Sequence, residues 1–500
     1  MDFLDPRKRR AHRTRLLVGY VLIAVAIALG TVVLVYNAYG YGVNTKTGTI
    51  VQNGLLFVDS RPGDAKIYLD GKYRDANTPA RLILPAKTYQ LSLKKDGYRD
   101  WVRSFTLNEH SISRYVYPLL LPAKPEPKPL KKYAGSPGLI TQTPDRRLLL
   151  VQAPRPQPGD FVFEEFDLGD PQKTPVARIL PASLLTNASQ GGDRLTEVEW
   201  STDNRHILLR HDYAGGLEFI IFDRQDPTSS INVNRTFNLA PTEVALRNKK
   251  VDQVYIFIGS GGTLQVGDTT NGQLAQPFLR SVIAFKSHGQ TLLTYVTAED
   301  ASTGQVNARI WDNGQTYLLN QFPAGTTYLL DAAQFQGHWY YVAASNTTEH
   351  IGIYRDPLGG LKDPSRKKAE AFIALPAKGG QKVSFSANTR FVGVQAKDKL
   401  AVYDLENKDS YNYTLDPAPA GNLRWMDGHR WVGLSNGSLM ISDYDGTNRH
   451  NLIASTVLGG AFFDRNYEVF VSTAPADSSG AVELQITNLR VGDDIPNRYR

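Results

Sequence analysis

The side chains best suited to metal or proton chemistry in this 500-residue chain are its nine histidines. His206 and His211 are five apart in a strand-like segment, which sends them to opposite faces of a sheet and rules out a shared metal ion. His288, His338 and His429 each fall in the same polar turn of a recurring pattern, so a turn role is expected for them. Asp443, Asp445, Gly446 and Asn448 have the spacing that opens a calcium loop, but the twelfth position is Ala454, where an EF-hand needs a bidentate Glu. A tight hairpin turn accounts for the same residues. The glycine cluster Gly259 to Gly262 lacks the Lys-Ser/Thr ending and the following helix of a phosphate loop. The chain contains no nucleophile elbow, no His-Glu-x-x-His and no cysteine. Its carboxylates form no linear pair that nominates glycoside hydrolysis. No catalytic, cofactor-binding or metal-ligating residue is therefore assigned, no cofactor is expected, and an enzyme reading has no motif behind it.

What would position any site begins with a membrane segment. Leu16 to Tyr36 is uncharged throughout and follows the basic run Arg7, Lys8, Arg9, Arg10, Arg13 and Arg15. Roughly 20 apolar residues span a bilayer core, and Lys and Arg are retained on the cytoplasmic side. Residues 1–15 are thus expected to be a basic cytoplasmic leader, residues 16–37 a single transmembrane helix, and the remainder extracytoplasmic. A cleaved signal peptide, with small residues such as Ala24 and Ala26 near a cleavage point, is the competing reading. Secretory apolar cores usually run about 7–15 residues, which favours the anchor.

The formal charge of +7 does not signal nucleic-acid binding. The leader contributes +4 and the Lys-rich stretch 123–132 contributes +3, which leaves the outer part near neutral with no basic face. Without cysteine, an exported chain must be held by core burial. The sequons at Asn187, Asn234, Asn346, Asn412 and Asn436 bear glycans only in a eukaryotic secretory route.

After a polar spacer, Gly40 to Asn53, residues 54–122 alternate with period two. Strands are expected at 54–60, 65–69, 80–84, 89–94, 101–107 and 116–121, with Asp70-Gly71 as a hairpin turn. Ser60, Pro62, Ala65, Ile67, Tyr68, Leu69, Asp70 and Gly71, then Thr78-Pro79, Tyr89, Leu91, Leu93 and Gly97-Tyr98, resemble the PEGA domain of bacterial surface proteins. Asp64 and Lys87 depart from the family pattern. The resemblance implies a small extracytoplasmic β-sandwich without chemistry of its own.

Residues 123–132, with Pro125, Pro127 and Pro129, are expected to be an extended linker. From 133 to 500 one design repeats: an apolar strand, a polar turn and a second apolar strand, with copies starting near 139, 198, 244, 283, 333, 383, 423 and 461. A third strand often closes on an acidic residue, as at Asp223, Asp268, Asp312, Asp404 and Asp443. Units of about 46 residues built from short strands are the signature of β-propeller blades. Eight four-stranded blades are expected, or seven with one degenerate unit. Trp200-Ser201 with Asp203, and Asp443 to Asn448, resemble blades of the Tol translocation-protein, WD-like propeller. The aromatic runs Trp339 to Tyr341 and Trp425 with Trp431 read as core.

The expectation is an all-β, membrane-anchored extracytoplasmic binding or scaffold protein of the cell envelope, recognising a protein or a cell-wall glycan. The alternative is a propeller enzyme, a glycan lyase or hydrolase, whose catalytic residues come from several blades.

Overall fold

The computed structural model describes the backbone of all residues except 1–5, 39–40, 44–49, 156–157, 189–191, 364, 366–367, 458–459, 479 and 500, and side chains additionally except 6–12, 37–38, 41–43 and 50–51. The start of the leader and residues 40 and 44–49 of the polar spacer lie outside the described residues. The chain divides into two units, residues 1–123 and 124–500.

In the first unit an α-helix runs over Pro6–Ala38. Its segment Arg13–Tyr36 has a mean hydropathy of 2.7 and is exposed along its length. At 1.5 Å per residue that segment is about 36 Å long, enough to cross a hydrocarbon core of roughly 30 Å. The helix starts inside the basic stretch read as a leader. Nothing in that stretch breaks helix, since Pro6 occupies a first-turn position that tolerates it and Arg and Lys are good helix formers.

The β part of this unit is a two-sheet sandwich. One sheet holds Tyr41–Val43, Ile50–Val58, Ala80–Pro85 and Ile112–Tyr115, the last parallel to Ile50–Val58. The other is ordered Lys72–Asn77, Lys66–Leu69, Lys87–Lys94, Trp101–Leu107. Leu56, Ile67, Leu69, Leu91, Leu93 and Leu107 fill the core at 0–1% exposure. The Asp70-Gly71 turn has φ of 52° and 75°, as a two-residue hairpin with both central residues left-handed requires. The Ser60 and Thr78 hydroxyls meet at 2.6 Å, and Thr78 Oγ1 accepts from the Ala65 amide at 3.0 Å. The Ser-x-Pro and Thr-Pro turns are thereby tied together. The strands differ from the sequence expectation in three places. Tyr41–Val43 and the start of Ile50–Val58 are strand within the residues read as a polar spacer. Lys72–Asn77 is a strand whose charge hid its alternation, and residues 116–121 make only an isolated bridge at Leu119, while the strand lies at Ile112–Tyr115.

The second unit is a β-propeller. Eight four-stranded antiparallel sheets follow one another along the described residues, called sheets 1–8 below. Their first strands are Ile140–Gln142, Arg194–Trp200, Glu243–Leu246, Val282–Ser287, Tyr328–Phe335, Lys382–Phe385, Arg424–Trp425 and Phe462–Phe463. No sheet covers its own apolar faces, so each packs on the next. Phe163 of sheet 1 stacks on Phe222 of sheet 2 at 5.4 Å. Continuous buried clusters join sheets 2 and 3, 3 and 4, 4 and 5, and 5 and 6. Gly393 of sheet 6 lies so close to sheet 7 that a Cβ there would sit 2.4 Å from Trp431 Cζ2. Tyr467 of sheet 8 donates to the Met426 carbonyl of sheet 7 at 3.1 Å.

The ring closes where the sequence suggested a linker. Pro127–Tyr133 is the outer strand of sheet 8, antiparallel to Val482–Asn488. Tyr133, Leu149 and Phe166 then share one core with Val469, Leu484 and Ile486, uniting the first sheet with the last. Proline and lysine are tolerated here because this is an edge strand, where half of the backbone amides face away from the ladder. The expected boundaries of 123–132 and 133 therefore shift: the propeller takes up its first strand within the Pro/Lys run.

Candidate functional site

The first strands of neighbouring sheets touch one another, as in sheets 2 and 3 and sheets 4, 5 and 6, so they converge around the ring axis. Charge collects on them. Sheet 2 brings Glu197 and Glu199, sheet 3 Glu243, sheet 4 Lys286, sheet 5 Asp331, sheet 6 Lys382 and sheet 7 Arg424. Arg146 joins them from the turn after the first strand of sheet 1.

A bulge at Val198 breaks the alternation between Glu197 and Glu199, and such a bulge re-aims side chains. Glu197 consequently turns to sheet 1, accepting from Thr141 Oγ1 at 2.6 Å. Glu199 turns to sheet 3, accepting from the Leu246 amide at 2.5 Å and pairing with Lys249. Opposite them, Lys286 pairs with Asp331 at 2.9 Å and Lys382 donates to the Leu423 carbonyl at 2.9 Å. Arg146 donates from Nη2 to the Met426 carbonyl at 2.7 Å.

The electrostatics cross the channel. Burial weakens the charge of Arg424, whose pKa falls to about 10 although Glu197, three sheets away around the ring, pulls it upward. Desolvation likewise raises Glu197, against Thr141 and Arg424, which lower it. Glu243 is reached by water yet walled in by protein. That desolvation, with the Glu199 charge beside it, lifts its pKa to about 7. The channel thus has an acidic wall from sheets 2 and 3 and a basic wall from sheets 4, 6, 7 and 1; with Asp331 of sheet 5 the formal charges cancel overall but not locally. No linear motif could report this grouping. The signal available was positional: a charge recurring in the apolar first strand of successive repeats.

The residues weighed from sequence have other roles. His288 is half-buried, its Nε2 2.9 Å from Thr294 Oγ1, and desolvation lowers its pKa to about 3. His338 lies 2.5 Å from Asp356, and His429 is edge-on to Phe391 at 5.5 Å, its pKa lowered to about 4 by burial. These three occupy equivalent turns and do not converge. His206 sits 2.6 Å from Asp203. His211, fully buried, faces Glu218 at 2.8 Å through Nδ1 and Asp193 at 3.1 Å through Nε2. Burial would raise Glu218, but hydrogen bonds from His211, Thr186 and Asn232 hold it near 2. Glu218 is the register partner of His211 across their hairpin, and Asp193 immediately precedes the strand whose Leu195 pairs with His211, so the network follows from strand pairing and not from any linear motif. It pins sheet 2 to the segment entering it.

The acidic residues closing third strands are turn locks. Asp223 takes Arg205 and the amides of Gln225 and Asp226, and Asp404 takes Arg390 and the amides of Glu406 and Asn407. Asp443 sits 3.5 Å from Arg430 and accepts from Asn448 Nδ2 at 2.9 Å, while Asp445 accepts the Thr447 hydroxyl at 2.7 Å. The loop read as calcium-like is a hairpin held by its own side chains. Gly259–Gly261 forms one 3-10 turn, tied by the Gly259 amide to Thr242 Oγ1 at 2.8 Å. Tyr340, Tyr341 and Trp431 are buried, while Trp339 and Trp425 are half-buried against them.

Residues 53–117 match the PEGA domain family. No curated protein matches the chain by sequence. Several solved structures resemble it in fold. The dihydro-heme d1 dehydrogenase NirN in complex with DHE is 14% identical with a TM-score of 0.41, over 64% of this chain and 67% of that one. The Cps50 (Swd1) β-propeller domain of Myceliophteria thermophila is 14% identical, TM-score 0.38, over 64% and 98%. An oligogalacturonate lyase in complex with manganese is 11% identical, TM-score 0.38, over 74% and 98%.

Proposed function

We propose that this chain is a single-pass membrane protein whose PEGA domain and propeller lie outside the cytoplasm, and whose propeller channel recognises an envelope protein or a cell-wall glycan. The observation that carries the reading is the channel itself, a ring-held gathering of opposed charges from seven different sheets. Rigid rings suit recognition because residues far apart in sequence are held at fixed positions around one axis. The orientation follows from the basic residues before the apolar helix.

Because the chain has no cysteine, single cysteines report its topology cleanly. Glu109→Cys and Lys173→Cys are expected to react with a membrane-impermeant maleimide on intact cells, and Thr14→Cys only after lysis. The reverse pattern would place the propeller in the cytosol and sink the proposal. In the correct orientation, a photo-crosslinking residue at Ile283, an exposed position on the first strand of sheet 4, is expected to yield adducts with envelope protein or glycan.

A second reading, a glycan-cleaving propeller enzyme, draws on one observation. Glu199 and Glu243 come from adjacent first strands, and Glu243 holds a proton close to neutral pH, as a general acid does. New reducing ends released from a polysaccharide by the purified chain, and lost in Glu243→Gln, would favour it.

A further inference from the structure

Several charged groups in the channel keep donors or acceptors that the protein does not use. Arg424 is half-buried, and among the described residues its guanidinium makes no hydrogen bond or ion pair; its contact is the Phe462 ring, 4.8 Å away. Arg146 spends Nη2 on the Met426 carbonyl, while its Nη1 is buried with no partner. Lys382 gives one donor to the Leu423 carbonyl and has two more. Across the channel, Glu243 has no hydrogen-bond donor among the described residues, and Glu197 has the Thr141 hydroxyl. Glu197 and Glu243 are exposed and Arg424 and Lys382 partly so, so their free donors and acceptors face the channel, where a ligand can replace water.

The unpaired set has a definite chemistry. A guanidinium fork matches a planar carboxylate with two parallel hydrogen bonds. Lys382 supplies further donors on the same wall. Opposite stand Glu197 and Glu243, acceptors suited to hydroxyl groups and hostile to a second negative charge. We propose that the channel binds a hydroxylated monocarboxylate, such as a uronic acid residue, with its carboxylate on Arg424 and its hydroxyls toward Glu197 and Glu243. This deepens the recognition reading and rests on it.

The full chain in detergent micelles, titrated calorimetrically with sodium D-glucuronate, D-glucose and inorganic phosphate, tests the assignment. Glucuronate is expected to bind saturably, with glucose and phosphate at least about tenfold weaker. Arg424→Gln is expected to lose about tenfold or more in glucuronate affinity, and Arg424→Lys, which keeps charge but not the fork, to fall between. The unliganded Arg424→Gln protein is expected to melt no lower than the parent, because the change removes an unpaired desolvated cation. Should that variant not fold, Lys382→Met provides the same reading with a smaller loss. Absence of saturable glucuronate binding, phosphate binding more tightly, or undiminished binding to folded Arg424→Gln would each overturn the proposal. If such a result came with Ile283 crosslinks intact, recognition would stand and only the carboxylate assignment would fall; loss of both would remove both.

Discussion

Arg390→Ala is expected to cost about 3–5 kcal/mol of propeller stability, read as a shift in denaturant midpoint, because it strands a charge in the core. The Asp404 side chain is fully buried, and Arg390 reaches it through Nε at 2.9 Å and Nη2 at 2.5 Å. Two backbone amides would remain on Asp404, too few donors to replace the guanidinium. The equivalent pair in sheet 1 is the internal control. Arg147 is 68% exposed where it meets Asp167 at 2.9 Å, and Arg147→Ala is expected to cost about 1 kcal/mol or less, as exposed pairs do. Equal losses at the two sites would mean that turn geometry, and not the buried charge, sets the cost.

Replacing Pro127–Tyr133 by a Gly/Ser stretch of equal length is expected to remove the cooperative unfolding of the propeller. Leu484 and Ile486, at 0% and 8% exposure, would lose the strand that covers them, and Tyr133 its place in the core shared by sheets 1 and 8. Large apolar side chains are worth about 1.5–3 kcal/mol each when buried, and ladder hydrogen bonds about 1 kcal/mol each. The sum is on the order of 5 kcal/mol or more, a large fraction of the total stability of a typical domain. An open edge would also invite aggregation. A broad, early transition by circular dichroism is the expected result, and an unchanged midpoint would show that this strand is dispensable.

The repeats and the PEGA sandwich were legible because both announce themselves locally. Alternating Leu91 and Leu93, the Asp70-Gly71 turn and the recurrent Asp at third-strand ends each encode a nearby partner. Closure was not, since Pro127 and Pro129 read as a linker until the partner, Val482–Asn488, is seen more than 300 residues later in the chain. The channel was illegible for a related reason. Glu197, Glu243, Lys382 and Arg424 acquire their meaning only when four repeats are folded around one axis, and the near-neutral net charge of the outer part hid two opposed walls.

Everything assigned to the channel depends on the ring being closed by its own N-terminal strand. Lys132 and Glu483 are register partners in that closure, and Cα atoms facing each other across antiparallel strands lie about 4.5–5.5 Å apart, within disulfide reach. In this cysteine-free chain, Lys132→Cys with Glu483→Cys is predicted to form an intramolecular disulfide on mild oxidation, with both thiols lost to maleimide. Two thiols that stay reactive in the folded protein would contradict the closed ring and the site built inside it.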